Sequence, residues 1–246
     1  MVAIYRVRGD AQSYGHEIGI LLIACSNPFP PGDVGNASSY RYPVLYETIR
    51  TVTIDSLIND GDRSMAGDVV AAALRLQEMG VKAITSDCGY MLYFQDEVAA
   101  ALKVPVMLSS LLQLPLIAAT LAPAGAVGII CANAERLTKP LLSLAYPNPT
   151  RAVHIIGMQD APAFRSAILE EEGMLDTDAV EAEIVERASA LVSRHPEIGA
   201  ILLECSNLPP YAAAVQRATG RHVFDFLTMI DYFQGAGRRQ AYQGGY

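Results

Sequence analysis

Four cysteines occur in the chain, and each closes an apolar run and opens a short polar step: Cys25-Ser26-Asn27, Cys88-Gly89-Tyr90, Cys131-Ala132-Asn133 and Cys205-Ser206-Asn207. A lone cysteine most often packs as a small hydrophobe. Placement of all four at the ends of apolar runs is not the pattern of scattered core filling. A thiolate so placed can remove a proton from a carbon beside a carbonyl, and a thiol opposite it can return one. Such a carbon is a weak acid, so the charge that develops on its carboxylate needs fixed donors. Ser26, Asn27, Gly89, Tyr90, Asn133, Ser206 and Asn207 are the candidate substrate-binding set, with Asn36 as a further donor.

An internal repeat selects Cys88 and Cys205 as the candidate catalytic pair. Residues 81–88 lie over residues 198–205 at a constant offset of 117 (205 minus 88). Ala83, Ile84 and Cys88 meet Ala200, Ile201 and Cys205, while Val81 faces Ile198 and Asp87 faces Glu204. The same offset aligns Val98 with Val215, Ala101 with Ala218 and Val106 with Val223. Two related halves facing each other would bring the two sulfurs to one cleft. Cys25 and Cys131 are left to the core, or at most to the cleft wall. After Cys205, the caps Ser206 and Asn207 and the prolines Pro209 and Pro210 lead into a helix over 211–219. A helix N-terminus there is expected to draw the thiol pKa from about 8.5 toward neutrality. Strand alternation is expected to turn Asp87 and Glu204 to the other face.

The elements that must hold these residues alternate. Short continuous apolar runs at 19–24, 81–85, 126–130, 152–156 and 199–203 read as strands buried on both faces. Helical spacing marks 67–79 and 178–194, the latter with Val180, Ile184, Ala188, Leu191 and Val192 inward. The expected class is α/β: two pseudo-symmetric lobes, each a mainly parallel sheet with flanking helices, with the active site in the cleft between them. Residues 1–115 form the first lobe and 116–223 the second, with 224–246 packing back on the first. The proline-bearing stretch from Pro28 to Tyr42 is either a cover for the site or a stiffened surface connection. Gly235-Ala236-Gly237 and the closing 243–246 read as a loose tail.

Composition narrows the partners to small molecules. Of 246 residues 51% are hydrophobic and 18% charged, and the net charge of −8 disfavours nucleic acid and anionic membranes. No apolar run reaches membrane-spanning length, and Arg6, Arg8, Asp10, His16 and Glu17 interrupt any leader, so a cytoplasmic protein is expected. His16, His154, His195 and His222 make no metal pattern, and neither a nucleophile-elbow serine motif nor phosphate or dinucleotide loops occur. No metal and no cofactor is expected.

The segments 84–90, 199–211 and 19–42 together resemble the aspartate/glutamate racemase superfamily. That resemblance implies two lobes with one catalytic cysteine each, Cys88 and Cys205, acting without a cofactor. It implies an isomerase: a racemase or epimerase acting next to a carboxylate or imide carbonyl, on an amino acid such as aspartate or glutamate, or on a hydantoin. A homodimer or higher homo-oligomer goes with it. Gly89-Tyr90 and Ser206-Asn207 stand where glutamate racemases carry Asn-Thr and Thr-His, which points toward the hydantoin-racemase-like and aspartate-racemase-like members. The alternatives are a maleate-type cis-trans isomerase with a nucleophilic cysteine, a related decarboxylase, and a non-catalytic binding protein keeping the cleft.

Overall fold

Strand β1 (Ile18–Ala24) is apolar along its whole length because both of its faces are covered. It pairs in parallel with β2 (Val44–Thr53) on one side and β3 (Ala83–Ser86) on the other, and β4 (Val106–Met107) closes the edge, giving the order β2-β1-β3-β4. A second parallel sheet repeats this plan with β5 (Ala126–Cys131), β6 (Ala152–Gly157), β7 (Ile198–Leu203) and β8 (His222–Phe224), ordered β6-β5-β7-β8. This computed structural model describes residues 13–239 together with Ile4, Arg6, Val7, Ala241 and Gly244. Arg8 and Asp10, and Gln243, Gly245 and Tyr246 of the expected tail, lie outside the described residues.

Flanking the sheets are α1 (Ala66–Glu78), α2 (Gln95–Ala101), α3 (Leu114–Thr120), α4 (Lys139–Ala145), α5 (Pro162–Phe164), α6 (Thr177–Arg194), α7 (Ala212–Thr219) and α8 (Phe226–Gly237). Helix α6 buries Val180, Ile184, Ala188 and Leu191, the stripe its spacing predicts, and starts at Asp176, whose side chain accepts from the Ala179 N–H. Helix α8 lies on the first sheet, where Phe226, Met229 and Ile230 join Ile18, Ile20, Ala83 and Met107 in one buried cluster. Gly235, Ala236 and Gly237 belong to its last turn and not to a loose tail.

The repeat extends to the hydrogen-bond register. Ile84 pairs with Val106 and Thr85 with Met107; shifted by 117, these are the observed pairs Ile201–Val223 and Leu202–Phe224. Gly19 and Gly128 hold the same place in the two sheets, beside Ile84 and Ile201. A Cβ at Gly19 would stand 3.0 Å from Leu76 Cδ1, and one at Gly128 3.0 Å from Leu191 Cδ2, so both lobes use a glycine to seat a helix close to the sheet.

Two features departed from the sequence reading. The stretch after Pro28 ends at Pro43 and leads into β2, a ten-residue edge strand whose mixed polarity hid it. The helix expected over 211–219 starts at Ala212 after a 3₁₀ turn, Pro209–Tyr211, and its first-lobe counterpart α2 likewise follows a 3₁₀ turn, Gly89–Phe94.

Candidate active site

Strand order reverses between β1 and β3 in one sheet and between β5 and β7 in the other. Ligands of open parallel sheets bind outside the strand ends at such points. All four cysteines lie there: Cys25 just after β1, Cys88 two residues after β3, Cys131 at the end of β5, and Cys205 two residues after β7. Each sulfur accepts the backbone N–H two residues ahead, from Asn27, Tyr90, Asn133 and Asn207 respectively.

Cys25, Cys88 and Cys205 line one narrow cavity of about 20 Å³, together with Asn27, Phe29, Asp87, Gly89, Tyr90, Glu204, Ser206 and Asn207. Cys88 and Cys205 are each 7% exposed and close enough to feel one another's charge. The thiol of Cys205 is directed to Asn207 Oδ1 at 3.4 Å, and the Asn207 amide donates to Asp33 Oδ2 at 2.9 Å. Ser206 Oγ donates across the cleft to the Asp87 carbonyl.

Three expected binding residues fall elsewhere. Ser26 is exposed, and its N–H donates to Glu171 Oε1 at 2.6 Å. Asn133 uses Oδ1 on the Glu135 N–H and offers only its carbonyl to the Tyr90 hydroxyl, at 2.6 Å. The Asn36 side chain caps its own loop, donating to the Phe29 carbonyl and accepting from Ser38. Cys131 is fully buried outside the cavity lining.

The acids before the catalytic-pair candidates face the cavity, contrary to the alternation argument. Alternation holds only within a strand, and β3 stops at Ser86 and β7 at Leu203. Asp87 Oδ1 accepts the Ile23 N–H at 3.0 Å, and Glu204 Oε2 the Ala132 N–H at 3.4 Å, from matching places in the two sheets. Burial pushes both carboxyls up to about 8 and Asp33 up to about 7. Among the described residues, no lysine, arginine or histidine lines the cavity.

Thiol ionisation likewise runs against expectation. Burial, and then the charge of Glu204, hold Cys88 and Cys205 well above the usual thiol range, and burial, then Asp87, pushes Cys25 up to about 12. The short turns that follow the cysteines do not offset this.

The apolar roof of the cavity is built from one π-turn per lobe. Asp55–Asn59 supplies Ile58, with Ile54 preceding it, and Arg165–Leu169 supplies Ile168 and Leu169. The turns correspond at an offset of 110 (165 minus 55): Asp60 N–H bonds the Asp55 carbonyl and Glu170 N–H the Arg165 carbonyl, both at 2.9 Å. Gly61 follows the first with φ 62°, and Glu171 follows the second with φ 53°. A glycine adopts that left-handed conformation without cost; a glutamate does not. No periodicity signals a π-turn, which is why the roof was not foreseen.

Far from the cavity, at the start of β7, the His154 and His195 rings stack at 3.6 Å, and Glu197 Oε1 stands 2.9 Å from His154 Nε2. The three could hold a metal ion, their ligand atoms lying within 4.8 Å of one another. The sequence reading kept these histidines apart. Among the described residues, no helix is long and apolar enough to cross a membrane.

No family model matches the chain. Solved structures of the same architecture include a Gly-to-Cys mutant of arylmalonate decarboxylase (TM-score 0.64, 16% identity, 91% of this chain and 95% of that one). Allantoin racemase from Pseudomonas fluorescens follows at TM-score 0.58 and 19% identity, with 89% of each chain covered, and a putative Asp/Glu racemase from Yersinia pestis at 0.57 and 16%, with 90% and 97% covered. The fold is therefore that of the aspartate/glutamate racemase superfamily, as the sequence resemblance implied.

Sequence relatives identify a narrower group within that fold. A dimethylsulfoniopropionate lyase from Durusdinium sp. clade D is 34% identical over 210 residues, covering 82% of this chain and 69% of that protein. Dimethylsulfoniopropionate lyase 6 from Emiliania huxleyi is 34% identical over 225 residues, covering 86% of this chain and 57% of its relative. The chain belongs to the dimethylsulfoniopropionate lyase family. This corrects the expected racemase or epimerase, and with it the isomerase class: the relatives are lyases, and the racemase likeness is one of fold.

Proposed function

We propose that this chain cleaves dimethylsulfoniopropionate by β-elimination to dimethyl sulfide and acrylate. The observation that carries the reading is a narrow cavity lined by thiols and by two buried carboxylates, with no cationic side chain, in a chain of this family. Such a lining offers a free anion no positive charge and suits a substrate that brings its own.

In this reading the Cys205 thiolate takes a proton from the methylene beside the substrate carboxylate. The C–H bond breaks and S–H forms; the electron pair becomes the π bond between Cα and Cβ as the Cβ–sulfur bond breaks and its pair leaves on sulfur. Sulfur leaves as neutral dimethyl sulfide, acrylate remains, and the thiol gives its proton to water. Cys205 is preferred to Cys88 because the Asn207–Asp33 chain orients its side chain, and no comparable side-chain bond holds Cys88. With the Ser206 hydroxyl and one Asn207 amide hydrogen engaged, the Ser206 N–H and the second Asn207 amide hydrogen supply donors for the substrate carboxylate, and Phe29 and Tyr90 give aromatic surface to the sulfonium methyls. The bound cation offsets the burial that keeps the thiols protonated. A methylene has no handedness, so nothing has to deliver a proton to its opposite face.

The purified protein incubated with dimethylsulfoniopropionate releases dimethyl sulfide to the headspace and acrylate to solution, read by gas chromatography and NMR. Release no faster than in buffer alone would refute the reading.

A further inference from the structure

Two side-chain atoms of the cavity lining are buried without a hydrogen-bond partner, Asn27 Oδ1 and Glu204 Oε1, and both are acceptors. Glu204 is fully buried, and its other oxygen takes only the long bond from Ala132. Its carboxyl crosses from the second lobe to lie directly over Gly89 of the first, filling the volume that a Cβ there would occupy. Asp87, its counterpart, has Oδ1 on the Ile23 N–H and carries no fully buried unpartnered oxygen. A buried acceptor with nothing to accept is relieved either by a proton or by a bound cation.

The groups whose charge Glu204 meets are Cys88 and Tyr90 from the first lobe and Cys131 and Cys205 from its own. None of them is cationic, so the described residues supply no counter-charge. We propose, resting on the lyase reading above, that Glu204 is the specificity-determining residue of this site: its free oxygen anchors the onium head of the substrate. Asn27 Oδ1 faces the same group and accepts its polarised methyl C–H bonds. The site thus recognises a compact permanent cation at the end of a short carboxylic acid, and sulfur itself matters only for leaving. Because burial holds Glu204 up to about 8, binding at neutral pH expels its proton, and affinity rises with pH until the carboxyl is ionised.

Calorimetric titration with trimethylammoniopropionate, and with its neutral tert-butyl isostere, tests this without requiring turnover. The wild-type protein prefers the ammonium acid by about thirtyfold or more. Glu204→Gln brings the two ligands level, and Glu204→Asp keeps part of the preference. Paired buffers of different ionisation enthalpy register proton release in the wild type at pH 7 and none in Glu204→Gln. An undiminished preference in Glu204→Gln, or in Glu204→Asp should the glutamine variant not fold, overturns the assignment. If dimethyl sulfide is made and that preference survives, only the role of Glu204 falls. If no dimethyl sulfide is made and neither ligand binds, the lyase reading falls with it.

Discussion

Before the cysteine of the first lobe stands a short acid, Asp87, and across the cleft from it is Ser206; before the cysteine of the second stands the longer Glu204, and across from it is Gly89. Each acid is matched in length to what the opposite lobe leaves room for. Ser206 spends its hydroxyl on the Asp87 carbonyl, whereas Gly89 has no side chain and lets the Glu204 carboxyl lie against its Cα. The two halves keep one backbone plan, down to the register of β3–β4 and β7–β8, and differ in side-chain size where the chemistry lies. A repeated fold has thereby been made one-sided, which suits the proposed elimination, with its one proton to remove.

The largest effect expected of that asymmetry is at the thiols. Cys205→Ala lowers the rate of dimethyl sulfide release by about a thousandfold, within the usual range for a general base, and Cys88→Ala by only about tenfold. Equal losses, measured as kcat/KM, would show that the lobes share the work. Next is Gly89→Ala, whose new methyl falls inside the Glu204 carboxyl. Overpacking of this kind costs about 1–3 kcal/mol. Urea titration should show it, while Ser206→Ala, which removes one hydrogen bond, costs about 1 kcal/mol.

A pH dependence follows from the acids. Asp33, Asp87 and Glu204 are raised by burial from ordinary values of 3.8, 3.8 and 4.5 to about 7, 8 and 8. The folded chain thus holds these protons more tightly than the unfolded one, so their contribution to stability is complete below about pH 4 and is lost as the pH rises toward 8. Melting temperatures of the ligand-free protein should fall across that window, and Glu204→Gln should flatten the upper part of the fall. The smallest effect concerns the roof. Glu171→Gly gives the second π-turn the residue type found after the first, relieving the φ of 53° but releasing Ser26. Stability changes by no more than about 1 kcal/mol, because relief and lost bond oppose each other. A larger loss by thermal melting would mean that the Ser26 contact outweighs the strain.

Much of the frame was legible in the sequence for physical reasons. Strands such as β1 and β5 are apolar throughout because helices cover both faces, and α6 declares itself by its inward stripe. The edge strand β2 carries Glu47, Thr48 and Arg50 and gave no such signal. In the site, the cysteine positions were readable and the cavity brings Cys88 and Cys205 together. Glu204 was misjudged because a rule about strands was carried one residue past a strand's end. The reaction itself was not legible. Racemisation and elimination begin with the same proton, and what separates them is a leaving group that belongs to the substrate.

The roof has a kinetic corollary. A cavity of about 20 Å³ has room for a single water, far less than a branched sulfonium acid needs. At rest the space is too small for that substrate, so the proposed lyase reaction requires the lining at Ile58 or Ile168 to give way. The glycine behind one turn and the tethered glutamate behind the other make the two panels unequal, and only the second is fastened to the β1 end through Ser26.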